Sequence, residues 1–182
     1  MIDITSHELT QFLEQLARCY RQEGRLYLVG GSSLILVSSK VSTLDIDLKI
    51  ETAPEHYGEF IRCLRQVSRA LQLPVEEASP DQFIPLPPGF AERHRFIGRF
   101  GSLDVFHFDF YSIALSKIHR GNEKDFADVT QMIAQDIIEF DRLAGYFRDI
   151  LPQVAVFGLR ADPESFARRF ALLQSRIEFG KI

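Results

Sequence analysis

Hydrophobic positions change period along the chain, and the changes divide it into elements. Leu9, Phe12, Leu13, Leu16 and Tyr20 recur at helical spacing. Thr5 and Glu8 stand at the capping-box separation before them, and Gly24 offers a stop. An amphipathic helix over residues 6–23, lying on a sheet, is predicted. Residues 25–29 form a short apolar run that reads as a first strand, ended by Gly30-Gly31. Residues 32–37 read as a short helix, apolar nearly all round and therefore buried. After a connection at 40–43, residues 44–50 alternate apolar and polar, the signature of a second strand.

Pro54 suits a first helical turn, and Phe60, Ile61, Leu64, Val67 and Leu71 carry a helix to about residue 72. Residues 74–76 read as a third strand. The stretch 79–91 holds Pro80, Pro85, Pro87, Pro88 and Gly89, which excludes a regular helix or a central strand. Residues 95–100 and 103–108 read as a hairpin turning at Gly101-Ser102. From Ser112 onward the period is helical. One helix ends near Gly121, a second carries Phe126, Val129, Met132 and Ile133, and a third carries Phe140, Leu143, Phe147 and Ile150, closed by Pro152. Asp162-Pro163-Glu164 signals the start of a last helix through Phe166, Phe170, Leu173 and Ile177.

The fold class that follows is α/β (α+β): a small mixed sheet flanked by helices, then a helical C-terminal half. Residues 1–109 are expected to form the α/β core and 110–182 a helical region packed on it. No compositional shift marks a linker. The length suits one domain with a helical extension and can bury a core without staples.

The chemistry concentrates in Tyr27-Leu28-Val29-Gly30-Gly31-Ser32-Ser33 and Thr43-Leu44-Asp45-Ile46-Asp47-Leu48. On a strand, Asp45 and Asp47 point the same way, and Ile46 and Leu48 the other. Carboxylates that close repel unless a cation lies between them or a proton is retained. Mg²⁺, or Mn²⁺ in its place, is the simplest partner, being hard and oxygen-seeking. The glycines allow a tight turn and leave backbone N–H groups free for an anion at a helix start. A phosphate cradle beside an acidic metal pair implies a metal-bound nucleoside triphosphate. The alternatives are a solvated strand face for the aspartates and a plain tight turn for the glycines.

Gly-Gly-Ser on a strand-to-helix turn followed by Asp-x-Asp on the next strand resembles the polymerase-beta-like nucleotidyltransferase superfamily. Within it the chain is similar to small bacterial nucleotidyltransferases related to toxins of abortive-infection toxin–antitoxin pairs. The likeness extends to Leu115-Ser116-Lys117-Ile118-His119-Arg120 and Glu123-Lys124-Asp125-Phe126-Ala127-Asp128-Val129. It implies transfer of an NMP from an NTP to an acceptor hydroxyl on RNA (a tRNA among them), a protein or a small molecule, with an antitoxin protein as a further partner. A non-catalytic nucleotide-binding or scaffold protein that keeps the fold is the alternative. The resemblance implies that Asp45 and Asp47 hold the metals. Gly30, Gly31, Ser32 and Thr43 would bind the nucleotide, with Lys117 and Arg120 contacting phosphate or base and Lys117 also neutralising developing charge as a catalytic residue. Asp128 would support Lys117. The superfamily's two-metal arrangement needs a third carboxylate, for which Asp104, Asp109 and Glu76 are candidates. Asp104 is preferred because it lies inside a strand, whereas Asp109 reads as a helix N-cap. One departure is that relatives often carry Arg just before the Thr, where this chain has Ser42, the nearest basic residue being Lys40.

Lys117 and Arg120 share a helix face, which is equally the description of an exposed basic face. Arg93, His94, Arg95 and Arg99 form a basic cluster suited to an RNA backbone or to an ordinary charged strand surface. His107 and His119 read as structural. The chain of 182 residues has a net charge of −4, so it is not a general polyanion binder. Sixteen Phe and no Trp leave aromatic packing to phenylalanine. The two cysteines, Cys19 and Cys63, fall in predicted helices and are expected to be reduced thiols. No apolar run is long enough to span a bilayer and no signal pattern opens the chain, so a cytoplasmic protein is expected.

Overall fold

The computed structural model describes residues 3–157 and 162–179. Helix α1 (Ser6–Cys19) opens with the expected capping box between Thr5 and Glu8. It ends four residues earlier than its periodicity suggests. Tyr20 leaves the helix in an extended conformation, is fully buried, and its hydroxyl meets that of Thr52 at 2.5 Å. Strand β1 (Gly24–Val29) runs straight into α2 (Gly30–Leu34), which therefore begins at the glycines and not at Ser32. Strand β2 (Ile46–Glu51) starts after Asp45, and Leu44 is 40% exposed, so the alternation begins two residues late. Helix α3 (Pro54–Leu71) and β3 (Val75–Glu77) follow. Two short 3₁₀ turns, Pro80–Gln82 and Ala91–Arg93, punctuate the proline-rich stretch. The hairpin is β4 (Arg95–Phe100) and β5 (Leu103–His107).

The described strands form one five-stranded mixed sheet in the order β3-β2-β1-β5-β4. Strand β1 pairs antiparallel with β2 and parallel with β5; β3 is parallel to β2, and β4 antiparallel to β5. Leu26 and Leu28, Ile46, Leu48 and Ile50, and Leu103 and Val105 point to one face and form a single buried cluster with α1 and α3. The opposite face carries Arg25 and Tyr27, Asp47 and Lys49, Asp104 and Phe106, as strand parity requires. Cys19 and Cys63 join α1 to α3 as a disulfide with Cα atoms 5.6 Å apart, where reduced thiols were expected. Helical periodicity shows each cysteine's element but not that the two helices meet at these positions.

The chain divides into two compact units, one comprising residues up to Ser79 with His94–Phe108, the other Pro80–Arg93 with Asp109 onward. The second unit contains α4 (Phe110–Arg120), α5 (Glu123–Ala134), α6 (Phe140–Phe157) and α7 (Pro163–Phe179). Asp109 caps α4 by accepting from the backbone N–H groups of Tyr111 and Ser112. Pro152 does not close α6 but lies inside it. Fully buried Ile150 and Val154 on either side hold the helix through the interruption. Phe147 stacks on Phe170 at 4.1 Å and meets Phe166 edge-on at 5.0 Å, tying α6 to α7.

Candidate functional site

The glycine turn and the acidic strand are built into each other. Gly30 has φ +56°, and a Cβ there would stand 2.7 Å from Asp47 Oδ2. A Cβ on Gly31 would collide with the hydroxyl of Thr43 and come within 2.8 Å of its Cβ. Side chains at either position would push the loop off the carboxylates, so both glycines are required by close approach. Ser32, fully buried, accepts from the Asp47 N–H at 2.8 Å and donates to the Asp45 carbonyl at 3.3 Å. Thr43 donates to Asp45 Oδ1 at 3.5 Å and is itself anchored by paired backbone bonds with Ile4. Gly30, Gly31, Ser32, Thr43, Asp45 and Asp47 thus form one constellation at the end of β1.

The rest of that sheet face is engaged. Tyr27, opposite Lys49 in the register, donates its hydroxyl to Glu51 at 2.8 Å, and burial with that bond pushes its pKa up to about 12. It also packs against His94 at 4.5 Å and Phe106 at 5.5 Å. Behind the loop, on the covered face, Ser33 Oγ lies 2.8 Å from His107 Nδ1, with both residues buried. Burial pushes the His107 pKa down to about 4, with Arg95 adding to the effect.

A family described as a nucleotidyltransferase of unknown function (DUF6036) matches residues 7–157. The chain belongs to this family. The match covers every candidate site residue and ends with α6. No curated protein and no solved structure matches the chain.

For this nucleotidyltransferase-family chain, the donor set at the loop fits a hard divalent cation: two carboxylates and a hydroxyl, with no sulfur or imidazole. At Gly30 the loop main chain packs directly on Asp47, whose Oδ2 would stand 2.7 Å from a Cβ there. A third carboxylate does not join them at Asp104, and that assignment is corrected. Asp104 sits opposite Arg25, whereas Asp47 sits opposite Val29. Four residues of strand separate them, about 13 Å at the usual rise. Asp104 shares the face but stands at its other end, where Arg99 forks onto both its oxygens at 2.6 and 2.8 Å and holds its pKa below the usual carboxylate range. Asp109 is fully buried as the α4 cap and takes a second fork from Arg93 at 2.9 Å. Glu76 is the candidate placed beside the pair, because it is the register partner of Asp47 on β3. Among the described residues, no three His, Cys, Asp or Glu side chains gather closely enough to hold a metal together.

Lys117 lies in the second unit with its side chain 5% exposed. Its ammonium donates to Asp125 Oδ1 at 3.1 Å and to Asp128 Oδ2 at 2.7 Å. Arg120, half-exposed, forks onto Asp125 at 2.7 and 3.1 Å. Lys117 pairs with Asp128 as the sequence suggests, and with Asp125 as a second, longer contact that Arg120 shares. Three members of the basic cluster are engaged: Arg93 pairs with Asp109 and stacks on Tyr146 at 4.3 Å, Arg99 pairs with Asp104, and His94 packs on Tyr27 and Phe108. Helical spacing had no means of revealing the Ser33–His107 pair. Its one sequence signal is strand parity, which places His107 on the same face as Leu103 and Val105.

Proposed function

We propose that the chain is a metal-dependent nucleotidyltransferase acting on an NTP, with Asp45 and Asp47 as its metal ligands. The carrying observation is the close fit of Gly30 and Gly31 against Asp47 and Thr43, with Ser32 bonding the backbone at both aspartates. A chain of this family has reason to leave no side chain between a loop and an acidic pair when phosphates must reach the same point. In this reading the acceptor oxygen bonds to the α-phosphorus, the α–β bridging bond breaks, and pyrophosphate leaves with both its electrons. The acceptor proton passes to solvent. Bound Mg²⁺ or Mn²⁺ supplies charge neutralisation on the phosphates and acidifies the attacking hydroxyl. Ser32 fixes the spacing of the two carboxylates through the backbone, and Thr43 orients Asp45. Gly30 and Gly31 let the loop main chain lie directly against Asp47 and Thr43.

A second reading is a nucleotide binder without transfer. It is favoured by the position of Asp104 and by the absence, among the described residues, of a three-ligand group. The two separate in one experiment: label transfer from each α-labelled NTP to total RNA and to protein, beside calorimetric binding of the same nucleotides. Binding without transfer selects the second reading. The toxin relation, carried by the resemblance, is tested by whether induced expression arrests growth and whether the neighbouring gene's product relieves it. Lys117 is assigned here to holding α4 and α5 together, with Asp125 and Asp128.

A further inference from the structure

Helix α2 is too short to hold its own position. Five residues close barely one turn, and an isolated turn is unfavourable in water. Val29, at its N-cap, contributes no side-chain bond. Side chains must therefore fasten it. Ser32 ties it to β2 through the Asp47 N–H and the Asp45 carbonyl. Ser33, the next residue, ties it to β5 through His107 Nδ1 at 2.8 Å. Strands β2 and β5 flank β1 on opposite sides. Two adjacent hydroxyls thus pin the loop across the strand it emerges from.

We propose that the Ser33–His107 hydrogen bond positions the Gly30–Gly31–Ser32 loop for the triphosphate, making His107 a positioning residue for nucleotide binding. This rests on the nucleotidyltransferase reading of the site. His107 continues the row of Leu103 and Val105 on the covered face and pairs in register with Leu28, two residues before Gly30. An aliphatic side chain would fill that place without the cost of burying an imidazole. The imidazole supplies a hydrogen-bonding nitrogen aimed at a fully buried hydroxyl. On the other side, Thr43 already occupies the space beside Gly31. The loop cannot shift toward the aspartates, and its remaining freedom is away from them. The bond to β5 closes that freedom.

The test uses the full chain and three single variants. Ser33→Ala removes the hydroxyl without adding bulk, His107→Leu fills the volume without the nitrogen, and His107→Asn keeps a polar group near Nδ1. Calorimetry with Mg²⁺ and ATP, GTP, CTP and UTP in turn is run beside thermal melts and amide exchange of residues 30–33. Ser33→Ala and His107→Leu are expected to weaken binding by about tenfold or more, with His107→Asn within about threefold of wild type. Faster exchange of the loop amides should accompany the loss. Wild-type affinity in both Ser33→Ala and His107→Leu overturns the proposal. So does a loss in His107→Asn equal to that in His107→Leu and tracking the melting temperature, which is the behaviour of a packing residue. If Ser33→Ala does not fold, the His107 pair decides. If the wild type binds no NTP, the functional reading fails by itself, and unchanged loop exchange in Ser33→Ala then overturns the positioning role separately.

Discussion

Replacing Lys117 by Ala should destabilise the second unit severely. The ammonium is 5% exposed and shared by Asp125 and Asp128, whose side chains are 3% and 8% exposed. Removing it leaves two buried carboxylates without their shared cation. Arg120 still neutralises part of Asp125, but the 2.7 Å bond to Asp128 is lost outright. Breaking a buried pair by deleting one partner costs about 3–5 kcal/mol. In a chain of this size that corresponds to a fall in Tm of about 6–20 °C. Calorimetric melts and urea titration at constant pH measure it. Arg120→Ala is the internal control, since Arg120 is half-exposed and Lys117 stays to balance Asp125; it should cost about 1 kcal/mol or less. A Lys117→Met/Asp125→Asn/Asp128→Asn variant leaves no charge buried and should recover most of the loss. A Lys117→Ala protein melting within about 2 °C of wild type, or a triple variant no more stable than the single, would show that the buried charge does not hold α4 and α5 together.

Three further outcomes are expected. Asp104→Asn breaks the Arg99 fork far from the aspartate pair, so NTP binding and label transfer should stay within about twofold of wild type; a collapse of transfer would return Asp104 to the site. The His107 pKa is held down at about 4 by burial, whereas the unfolded chain takes up that proton near the ordinary imidazole value of 6.5. Its contribution of up to about 3 kcal/mol is present above pH 6.5 and lost as pH falls toward 4, and this slope in urea midpoints should vanish in His107→Asn. Reduction of Cys19–Cys63, which closes a loop with a sequence separation of 44, should lower stability by up to about 4 kcal/mol, read from urea titrations with and without reductant.

What could be read from the sequence was what local geometry determines. Gly30-Gly31-Ser32 and Thr43-x-Asp45-x-Asp47 announce themselves because a turn without side chains and an alternating acidic pair are short-range patterns. The cap at Thr5 and the Asp109 cap are legible for the same reason. Asp104 misled because its strand was right while its place along the sheet is set by pairing with β1, a long-range fact absent from its neighbours. The short run at Glu76 carries little strand signal of its own, yet the parallel pairing of β3 puts it opposite Asp47. Pro152 marked a stop by local rules, and buried Ile150 and Val154 overrode it. The cysteine pair and the Ser33–His107 bond each join residues more than 40 positions apart, where no periodic signal reaches.

The most direct measurement is calorimetric titration of each NTP into the full chain, with and without Mg²⁺, for wild type, Asp45→Asn/Asp47→Asn and Gly31→Ala. Metal-dependent binding is expected in the wild type and should be lost in the double aspartate variant. Gly31→Ala, whose added Cβ meets Thr43, should bind at least about tenfold more weakly while keeping its fold. Nucleotide binding indifferent to Mg²⁺ and to all three substitutions would mean that the glycine turn and the acidic pair do not form the site.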